Sequence, residues 1–217
     1  MATSGSLSAV VSTREETPGP FEGDPPADPL AEARRWFEEA ERAGLAQPDA
    51  IALATATAEG EPSARMVLLK GIDDRGFVFF TNYGSRKGRE LAENPRAALI
   101  LYWNELRRQV RVTGAVERVS DEESDAYFAT RPYGSRIAAT ASRQSSVISN
   151  RSVLEDEYER LDREYGGGDV PRPAYWGGYR VVPSTIEFWR GRENRLHDRV
   201  RYTRQLAGSW TTERLAP

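Results

Sequence analysis

The chain has 217 residues, a length that fits one large domain with a substantial buried core. Its 30 basic and 33 acidic residues give a formal net charge of −3, so the whole molecule has no electrostatic attraction for nucleic acid or for an anionic membrane. Cysteine is absent and histidine occurs once, which excludes disulfides and thiolate chemistry and argues against a metal site.

The first 27 residues are rich in Ser, Thr, Pro, Gly and charge, and such a segment cannot bury enough apolar surface to order itself. We therefore divide the chain into a mobile N-terminal arm, residues 1–27, and one folded domain, residues 28–217. The start of the chain lacks the basic and apolar regions of a signal peptide, and no apolar segment of about 18 residues follows. The sequence thus predicts a cytoplasmic protein without a membrane partner.

A short amphipathic helix is predicted between Pro29, in a favoured first helical position, and Gly44, a favoured stop. The pattern then changes to short segments that are rich in β-branched and aromatic residues and are separated by turn formers. Strands are therefore predicted at residues 51–58, 64–70, 76–81, 97–103 and 108–119.

Further helices are predicted at residues 86–93, 121–129 and 153–165, the last two opened by capping boxes at Ser120 and Ser152. Strands return at residues 177–182, 184–190, 198–203 and 209–214. Strands at hairpin spacing with few helices predict a mainly β (α+β) fold, a small barrel with peripheral helices. No glycine-rich phosphate loop is present, so a dinucleotide-binding fold is not supported.

The single histidine lies in the basic stretch ENRLHDRVRY. On a regular strand Arg195, His197, Arg199 and Arg201 would share one face at intervals of about 6 to 7 Å. Such a row needs carboxylates or a bound anion opposite it, unless it is an exposed edge strand that carries charge against aggregation. The nearby Trp189 favours a site that stacks a flat ring beside a charged group.

Of the 30 basic residues only Lys70 and Lys87 are lysine, which suggests that these two serve as compact point charges. Lys70 and Arg65 bracket the apolar run RMVLLK and fall either on opposite faces of a strand or at its two ends. Ser85 can cap a helix whose first turn carries Arg86 and Lys87, and the amides, hydroxyl and cations together suit a phosphate. The alternatives are an ordinary core strand and a plain surface helix.

Another polar stretch, DAYFATRPYGSR, spaces Tyr127, Arg131 and Ser135 four residues apart. The three side chains would converge in a continuous helix, but Pro132 and Gly134 favour a turn after Arg131. The neutral stretch SRQSS follows and offers further hydrogen-bonding groups.

In order along the chain, the motifs RMVLLK, FFTNYGSRKG, RRQVRV, YFATRP, SRQSS, WGGYRV, EFWRGRENRLHDR and RLAP resemble the pyridoxamine 5'-phosphate oxidase family. The resemblance covers nearly everything from about residue 28 to Pro217. It implies a homodimer of FMN-binding split β-barrels with the flavin at the dimer interface. It also implies hydride transfer from the 4'-carbon of pyridoxine or pyridoxamine 5'-phosphate to the flavin. Molecular oxygen would reoxidise the flavin, giving hydrogen peroxide, and the product would be pyridoxal 5'-phosphate.

The resemblance also implies roles for individual residues. One subunit would hold the flavin with Arg65, Met66, Val67, Leu68, Leu69, Lys70, Phe80, Thr81, Arg86 and Lys87. The other subunit would hold it with Gln109, Gln144, Ser145, Trp189 and Arg199. The substrate phosphate would be bound by Lys70, Tyr127, Arg131 and Ser135. The substrate ring would face Arg195, Leu196 and His197, with Arg195 and His197 as catalytic residues and His197 either a general base or an orienting hydrogen-bond partner. No metal is implied.

Two alternatives share the fold. A phenazine-pathway flavin oxidase is disfavoured by Lys70, because that group lacks a lysine at this position. A non-catalytic flavin-binding protein would have no need of the pair Arg195 and His197.

Three positions depart from the family pattern. Glu16 stands where the mobile arm of bacterial members often carries the tyrosine of an Arg-x-Tyr lid element, so lid function is not expected of this arm. Thr140 replaces a tryptophan and Arg107 replaces a common glutamate. Neither belongs to the assigned site, so changes in packing or affinity are expected there rather than in chemistry.

Overall fold

The structure, a computed structural model, describes residue 21 and residues 23–217. Five α-helices lie within this part of the chain: α1 (Pro29–Arg42), α2 (Arg86–Glu93), α3 (Asp121–Ala129), α4 (Tyr133–Ala141) and α5 (Ser152–Tyr165). The same part contains eight strands: β1 (Ala50–Ala56), β2 (Pro62–Ile72), β3 (Phe77–Asn82), β4 (Arg96–Trp103), β5 (Arg108–Arg118), β6 (Trp176–Arg190), β7 (Asp198–Arg204) and β8 (Trp210–Arg214).

Six of these strands close into an antiparallel barrel. They follow the order β3-β2-β1-β4-β5-β6, and β6 pairs back onto β3. Strands β7 and β8 extend the sheet from the other half of β6. The prediction of a small, mainly β barrel with peripheral helices is confirmed.

The long strand β6 is where the barrel splits. Its first half, from Trp176 to Val181, pairs with β3, and its second half, from Thr185 to Arg190, pairs with β7. Strand β5 pairs with both halves, and its register shifts at Gly114, where an added Cβ would lie 2.0 Å from the carbonyl oxygen of Val182. The two strands predicted at 177–182 and 184–190 are therefore one bent strand, and the expected break at residue 183 was wrong.

The barrel interior is filled by large apolar side chains such as Phe77, Leu99 and Phe188. Helix α1 packs against this core through Trp36, whose ring meets that of Phe188 edge to face at 5.1 Å. Burying such rings supplies most of the stabilisation of a small barrel, at about 25 cal/mol per Å² of apolar surface. Phe21 packs on the other side of Trp36, with the ring centroids 6.0 Å apart.

The structure describes only the end of the predicted arm, and that end is attached to the barrel. Phe21 is buried, its carbonyl oxygen and that of Gly23 accept hydrogen bonds from Arg214, and the Tyr202 hydroxyl donates to the carbonyl oxygen of Pro26 at 2.8 Å. The boundary drawn at residue 28 therefore leaves out residues that pack with the folded domain. Glu16 lies outside the described residues.

The predicted helix caps at Ser85 and Ser120 are confirmed, because each hydroxyl accepts the expected backbone hydrogen bond. The cap at Ser152 was wrong: Arg151 occupies the capping position and the Ser152 hydroxyl donates to Asn150 instead. Helix α4 was not predicted, because Pro132 was read as the start of a turn. Proline is also tolerated at the start of a helix, where its missing N–H costs nothing.

The stretch around the histidine is not a regular strand. A short 3-10 turn spans Glu193–Arg195, Asn194 and Arg195 have left-handed backbone angles, and β7 begins only at Asp198. The predicted single row of four basic side chains was therefore wrong for Arg195 and His197.

Candidate active site

A cavity of about 570 Å³ is lined by residues of β2, β3, α2, α3, α4 and β6. This volume is in the usual range for sites that bind small molecules and cofactors. Eleven of the residues assigned from the sequence line it: Met66, Val67, Leu68, Lys70, Phe80, Thr81, Lys87, Tyr127, Arg131, Ser135 and Gln144.

Lys87, near the start of α2, is a buried cation in this cavity. Its side-chain amine donates to the hydroxyl of Thr81 at 3.0 Å, the side-chain oxygen of Gln144 at 2.8 Å and the hydroxyl of Ser85 at 3.3 Å. No carboxylate of the described residues forms an ion pair with it. Burial, with a smaller contribution from the charge of Arg65, lowers the pKa of Lys87 to about 8. An anion in the cavity would therefore gain from a charge that the protein itself leaves uncompensated.

Arg131, which follows α3, is the second uncompensated cation. Its guanidinium lies over the ring of Trp176 at 4.7 Å and over that of Phe128 at 5.4 Å. Its Nη1 atom is buried and has no hydrogen-bond partner within the described part of the chain. Burial lowers the pKa of Arg131 below its usual value.

Three nearly parallel rings stand beside Arg131. Phe80 stacks on Tyr127 with the centroids 4.0 Å apart, and the Trp176 ring lies 5.6 Å from Phe80 at an angle of 12°. Gly178 permits this close packing, because a Cβ there would come within 2.7 Å of the Phe80 ring. The cavity thus combines flat apolar rings with fixed positive charge.

Lys70 lines the cavity but already has a partner. Its amine donates to the Asp49 carboxylate at 2.7 Å. Lys70 and Arg65 lie on opposite faces of β2, as one of the two sequence readings predicted.

Arg65 and Arg86 do not line the cavity; both contact the buried carboxylate of Glu90. Glu90 also accepts hydrogen bonds from the hydroxyls of Thr55 and Ser63, and its distance to Arg86 Nε is 2.8 Å. Burial alone would raise the pKa of Glu90, but these hydrogen bonds outweigh it and lower the pKa to about 2. Both arginines are therefore held in defined positions by an ionised group.

The remaining assigned residues are not brought into the cavity within one chain. Leu69 is buried in the core, and Ser145 lies in the exposed segment between α4 and α5. A separate group lies on β5, β6, β7 and the turn before β7: Gln109, Trp189, Arg195, Leu196, His197 and Arg199. Gln144, assigned to the second subunit, lies beside Thr81 and Lys87 of its own chain.

His197 packs on Trp189, with the ring centroids 4.7 Å apart. Its Nδ1 atom accepts a hydrogen bond from the backbone N–H of Arg192 at 3.1 Å. In the neutral ring the proton therefore lies on Nε2, which is a hydrogen-bond donor. Arg199, paired with Trp189 across the sheet, is held by Glu187 at 2.9 Å.

Sequence reasoning assigned no role to three residues that shape the site. Trp176 belongs to the motif WGGYRV, and a large aromatic ring before two glycines is a usable signal of close ring packing. Asp49 and Glu90 gave no signal, because the contacts Asp49–Lys70 and Glu90–Arg65 arise only when β2 packs against its neighbours. The Glu90–Arg86 contact is an i,i+4 pair within α2.

Comparison with known families identifies the family of the chain. The family model described as pyridoxamine 5'-phosphate oxidase matches residues 37–163, and the model of the pyridoxine 5'-phosphate oxidase C-terminal dimerisation region matches residues 176–217. The chain belongs to the pyridoxamine 5'-phosphate oxidase family and is thus an oxidoreductase.

Named relatives are similar over most of their length. A pyridoxine/pyridoxamine 5'-phosphate oxidase of Rubrobacter xylanophilus is 61% identical over 190 residues, which cover 88% of this chain and 87% of that protein. One of Burkholderia multivorans is 59% identical over 198 residues, covering 90% and 92%.

Among solved structures, PhzG of Burkholderia lata, crystallised with tetrahydrophenazine-1-carboxylic acid, is 36% identical with a TM-score of 0.88. The match covers 94% of this chain and 98% of that one. A pyridoxamine 5'-phosphate oxidase-related, FMN-binding protein of Nostoc punctiforme shares the fold, with a TM-score of 0.71 at 18% identity over 88% of this chain and 98% of that one. Within the described residues, no helix combines the length and apolarity that crossing a membrane requires.

Proposed function

We propose that the protein oxidises pyridoxine 5'-phosphate or pyridoxamine 5'-phosphate to pyridoxal 5'-phosphate, with FMN as cofactor and molecular oxygen as electron acceptor. The observation that carries this proposal is a pair of cations without carboxylate partners in one cavity with stacked aromatic rings: Lys87, which is buried, and Arg131, which is partly buried and keeps a buried Nη1 without a partner in the described residues. The names of the most similar relatives agree with it.

Charge is the first reason why two phosphorylated molecules fit this cavity. A phosphate monoester carries about −1.5 to −2 charges near neutral pH. Lys87, next to the capped start of α2, suits the phosphate of FMN, with Arg65 and Arg86 nearby as additional positive charge. Arg131, with Tyr127 and Ser135, suits the phosphate of the substrate.

Lys70 is proposed for the same substrate phosphate, where it would exchange or share its bond with Asp49. Its position on the cavity side of β2 also agrees with a role beside the flavin. The side chains of Met66 and Leu68 on that face, with Phe80 and Thr81 on β3, supply the flat apolar wall that a flavin ring requires.

A homodimer would complete this site. Met66 and Leu68 on β2 and Tyr102 on β4 expose 63%, 43% and 54% of their surface, which is unusual for apolar side chains of a sheet. The group on β6 and β7 that does not reach the cavity within one chain lies in the segment matched by the family's dimerisation region. We propose that the partner subunit contributes this group together with Gln109 and Ser145, which lie outside that segment, and that Trp189, Arg199, Gln109 and Ser145 face the flavin.

Arg195, Leu196 and His197 of the partner would then cover the substrate ring. The acceptor role of Nδ1 leaves His197 Nε2–H as a donor, which supports orientation of the substrate through a hydrogen bond rather than removal of a proton. Arg195, held in a left-handed backbone conformation that costs energy for a side-chain-bearing residue, would supply positive charge beside the ring. Holding the two flat molecules in contact provides the positioning on which such a reaction depends.

FMN, when bound, supplies the redox chemistry: it takes two electrons from the substrate and passes them to oxygen, giving hydrogen peroxide. For pyridoxine 5'-phosphate the overall balance is substrate plus oxygen giving pyridoxal 5'-phosphate and hydrogen peroxide. For the amine, one water enters and one ammonia leaves.

An oxygen-uptake assay tests the proposal. Purified protein loaded with FMN is given pyridoxine 5'-phosphate, pyridoxamine 5'-phosphate or tetrahydrophenazine-1-carboxylic acid. Oxygen consumption and hydrogen peroxide formation are followed with each compound, and aldehyde formation with the two vitamers. We expect turnover of at least one phosphorylated vitamer. Because the chain is similar to PhzG, the assay must also include the third compound, tetrahydrophenazine-1-carboxylic acid.

The outcomes separate the three candidate functions. Oxidation of the phenazine compound alone would favour the phenazine-pathway alternative. Bound flavin with no turnover of any of the three compounds would favour a non-catalytic flavin-binding protein.

A further inference from the structure

We infer that Trp176 is a positioning residue that presents the Arg131 guanidinium to the phosphate of the substrate. The inference deepens the proposed function and rests on it, because it takes the ligand of Arg131 to be a phosphate ester. Nothing in the family resemblance gave Trp176 a role.

The contacts define the arrangement. Trp176 is nearly fully buried and lines the cavity, and its ring lies 4.7 Å below the guanidinium carbon of Arg131. Phe128 meets the Trp176 ring edge to face at 4.9 Å and lies 5.4 Å from the same guanidinium. The guanidinium therefore rests on an aromatic surface and keeps a buried Nη1–H without a partner in the described part of the chain.

An aromatic support has a specific advantage over a carboxylate at this position. A carboxylate would hold Arg131 equally well but would compete with the phosphate for the same N–H groups and charge. The face of an indole attracts a cation without occupying its hydrogen-bond donors, which lie in the guanidinium plane. Lys70 in the same cavity shows the contrasting solution, since its amine is already bonded to Asp49.

The backbone of Trp176 is itself fixed. The Trp176 backbone N–H donates to the carbonyl oxygen of Pro173 at 2.9 Å, and its carbonyl oxygen accepts from Arg172 Nη1 at 2.7 Å. Arg172 is held in turn by Asp121 and Asp125 of α3. Because α3 also precedes Arg131, the backbone of Trp176 and the segment that carries Arg131 are anchored to the same helix.

The test uses the FMN-loaded enzyme and two substitutions. Trp176→Leu removes the aromatic face, and Trp176→Phe keeps an aromatic ring under the guanidinium. The dissociation constants of pyridoxal 5'-phosphate and of unphosphorylated pyridoxal are measured with each variant, at equal flavin occupancy, together with kcat and KM for the phosphorylated vitamer that turns over.

We expect Trp176→Leu to weaken pyridoxal 5'-phosphate binding about tenfold, the effect of losing a desolvated cation–π contact. Affinity for pyridoxal should stay within about twofold, and KM should rise while kcat changes little. Trp176→Phe should recover most of the affinity for the phosphate ester.

A matched control is Trp36→Leu. Trp36 also carries an arginine over its ring, Arg108 at 4.8 Å, but that arginine is paired with Glu39 and both lie outside the cavity lining. This variant should lose thermal stability without a change in the affinity for pyridoxal 5'-phosphate.

Equal weakening of both ligands in Trp176→Leu, or no recovery in Trp176→Phe, would overturn the inference and leave Trp176 a packing residue. Failure of the proposed function would give a different result: the unmodified enzyme would show no turnover, whatever the dissociation constants of the variants. If Trp176→Leu does not fold, Trp176→Phe is compared with the unmodified enzyme for both ligands. A loss of affinity of up to about threefold that is confined to the phosphate ester supports the inference, because phenylalanine binds a cation less well than tryptophan, and an equal loss for both ligands overturns it.

Discussion

Two arginines, the partly buried Arg131 and the buried Arg180, have opposite electrostatic surroundings. Arg180, 4% exposed on β6, contacts the carboxylates of Asp73 and Glu123, with Glu117 3.5 Å away. Arg131 has aromatic rings beneath it and no carboxylate among the described residues within ion-pair distance. The pKa values of the two arginines are shifted in opposite directions. Burial lowers the pKa of Arg131, whereas the neighbouring carboxylates raise the pKa of Arg180, although burial alone would lower it.

The difference shows how an arginine that stabilises the fold is distinguished from one that binds a ligand. A buried cation destabilises the fold unless its charge is compensated. The charge of Arg180 is compensated by carboxylates of its own chain, so we assign Arg180 a role in stabilising the fold, called here a framework role. Arg131 is not, and the missing anion is the strongest internal sign of a binding site. The cation–π contact alone is not the sign, because Arg108 has one as well and is paired with Glu39.

The largest expected effect follows from removing Arg180, the arginine whose charge is compensated by carboxylates. Arg180→Leu would leave three carboxylates without their shared cation and should lower the free energy of unfolding by about 3 kcal/mol, as for other broken buried ion pairs. Denaturant unfolding measures this, and KM for the substrate should not change. The control Arg75→Leu removes an exposed arginine that shares Glu117 and should cost less than about 0.5 kcal/mol. Equal losses in the two variants would contradict the framework role.

The next effect concerns Arg131, where we expect a change in substrate binding rather than in stability. Arg131→Met should raise KM for the phosphorylated vitamer about 30-fold, because a charge-assisted hydrogen bond contributes about 2 kcal/mol. The free energy of unfolding should stay constant or rise by up to about 1 kcal/mol, since a desolvated charge has been removed. Arg118→Met, which removes an arginine that lies over the Tyr83 ring and outside the cavity lining, should leave KM unchanged. A clear loss of stability in Arg131→Met would mean that Arg131 belongs to the framework.

The smallest expected effect is the pH dependence of the other uncompensated cation. Folding lowers the pKa of Lys87 from 10.5 to about 8. Between these values the unfolded chain holds a proton that the folded apoprotein has lost, so Lys87 makes the free energy of unfolding rise with pH in that window. The affinity for FMN should fall as the pH passes upward through 8, by at most about tenfold per pH unit.

Fluorescence titration of FMN against pH measures this second effect. Lys87→Arg is the control, because arginine stays charged throughout and should show no step near pH 8. A step of the same size in Lys87→Arg would assign the pH dependence to another group.

Much of the fold follows from the sequence because the barrel depends on local patterns. Alternating apolar residues and turn formers predicted every strand within a few residues, and the hydroxyls of Ser85 and Ser120 marked two helix starts. The errors occurred where one residue type serves two structures. Pro132 begins a helix rather than a turn, and Pro183 lies within a strand because β6 bends there beside Gly114.

The candidate site was predictable in part. The sequence motifs predicted most of the residues that line the cavity, because the residues of one motif are close in sequence and therefore lie close together in the fold. The supporting contacts of Asp49, Glu90 and Trp176 were not predictable, since they join segments that are distant in sequence and that meet only in the folded barrel. The turn before β7 was also missed, because the left-handed angles of Asn194 and Arg195 leave no pattern in the charges around them.

The single strand β6 carries Trp176 at its first position and Trp189 near its end, 13 positions later. The cavity and the dimerisation segment therefore share one continuous backbone whose length fixes their separation. One residue added or deleted in the middle of β6 would shift one tryptophan against the other by about 3.3 Å and turn the side chains beyond that point to the opposite face. We therefore expect insertions and deletions in β6 to disrupt the site, whereas changes in loop length should be tolerated.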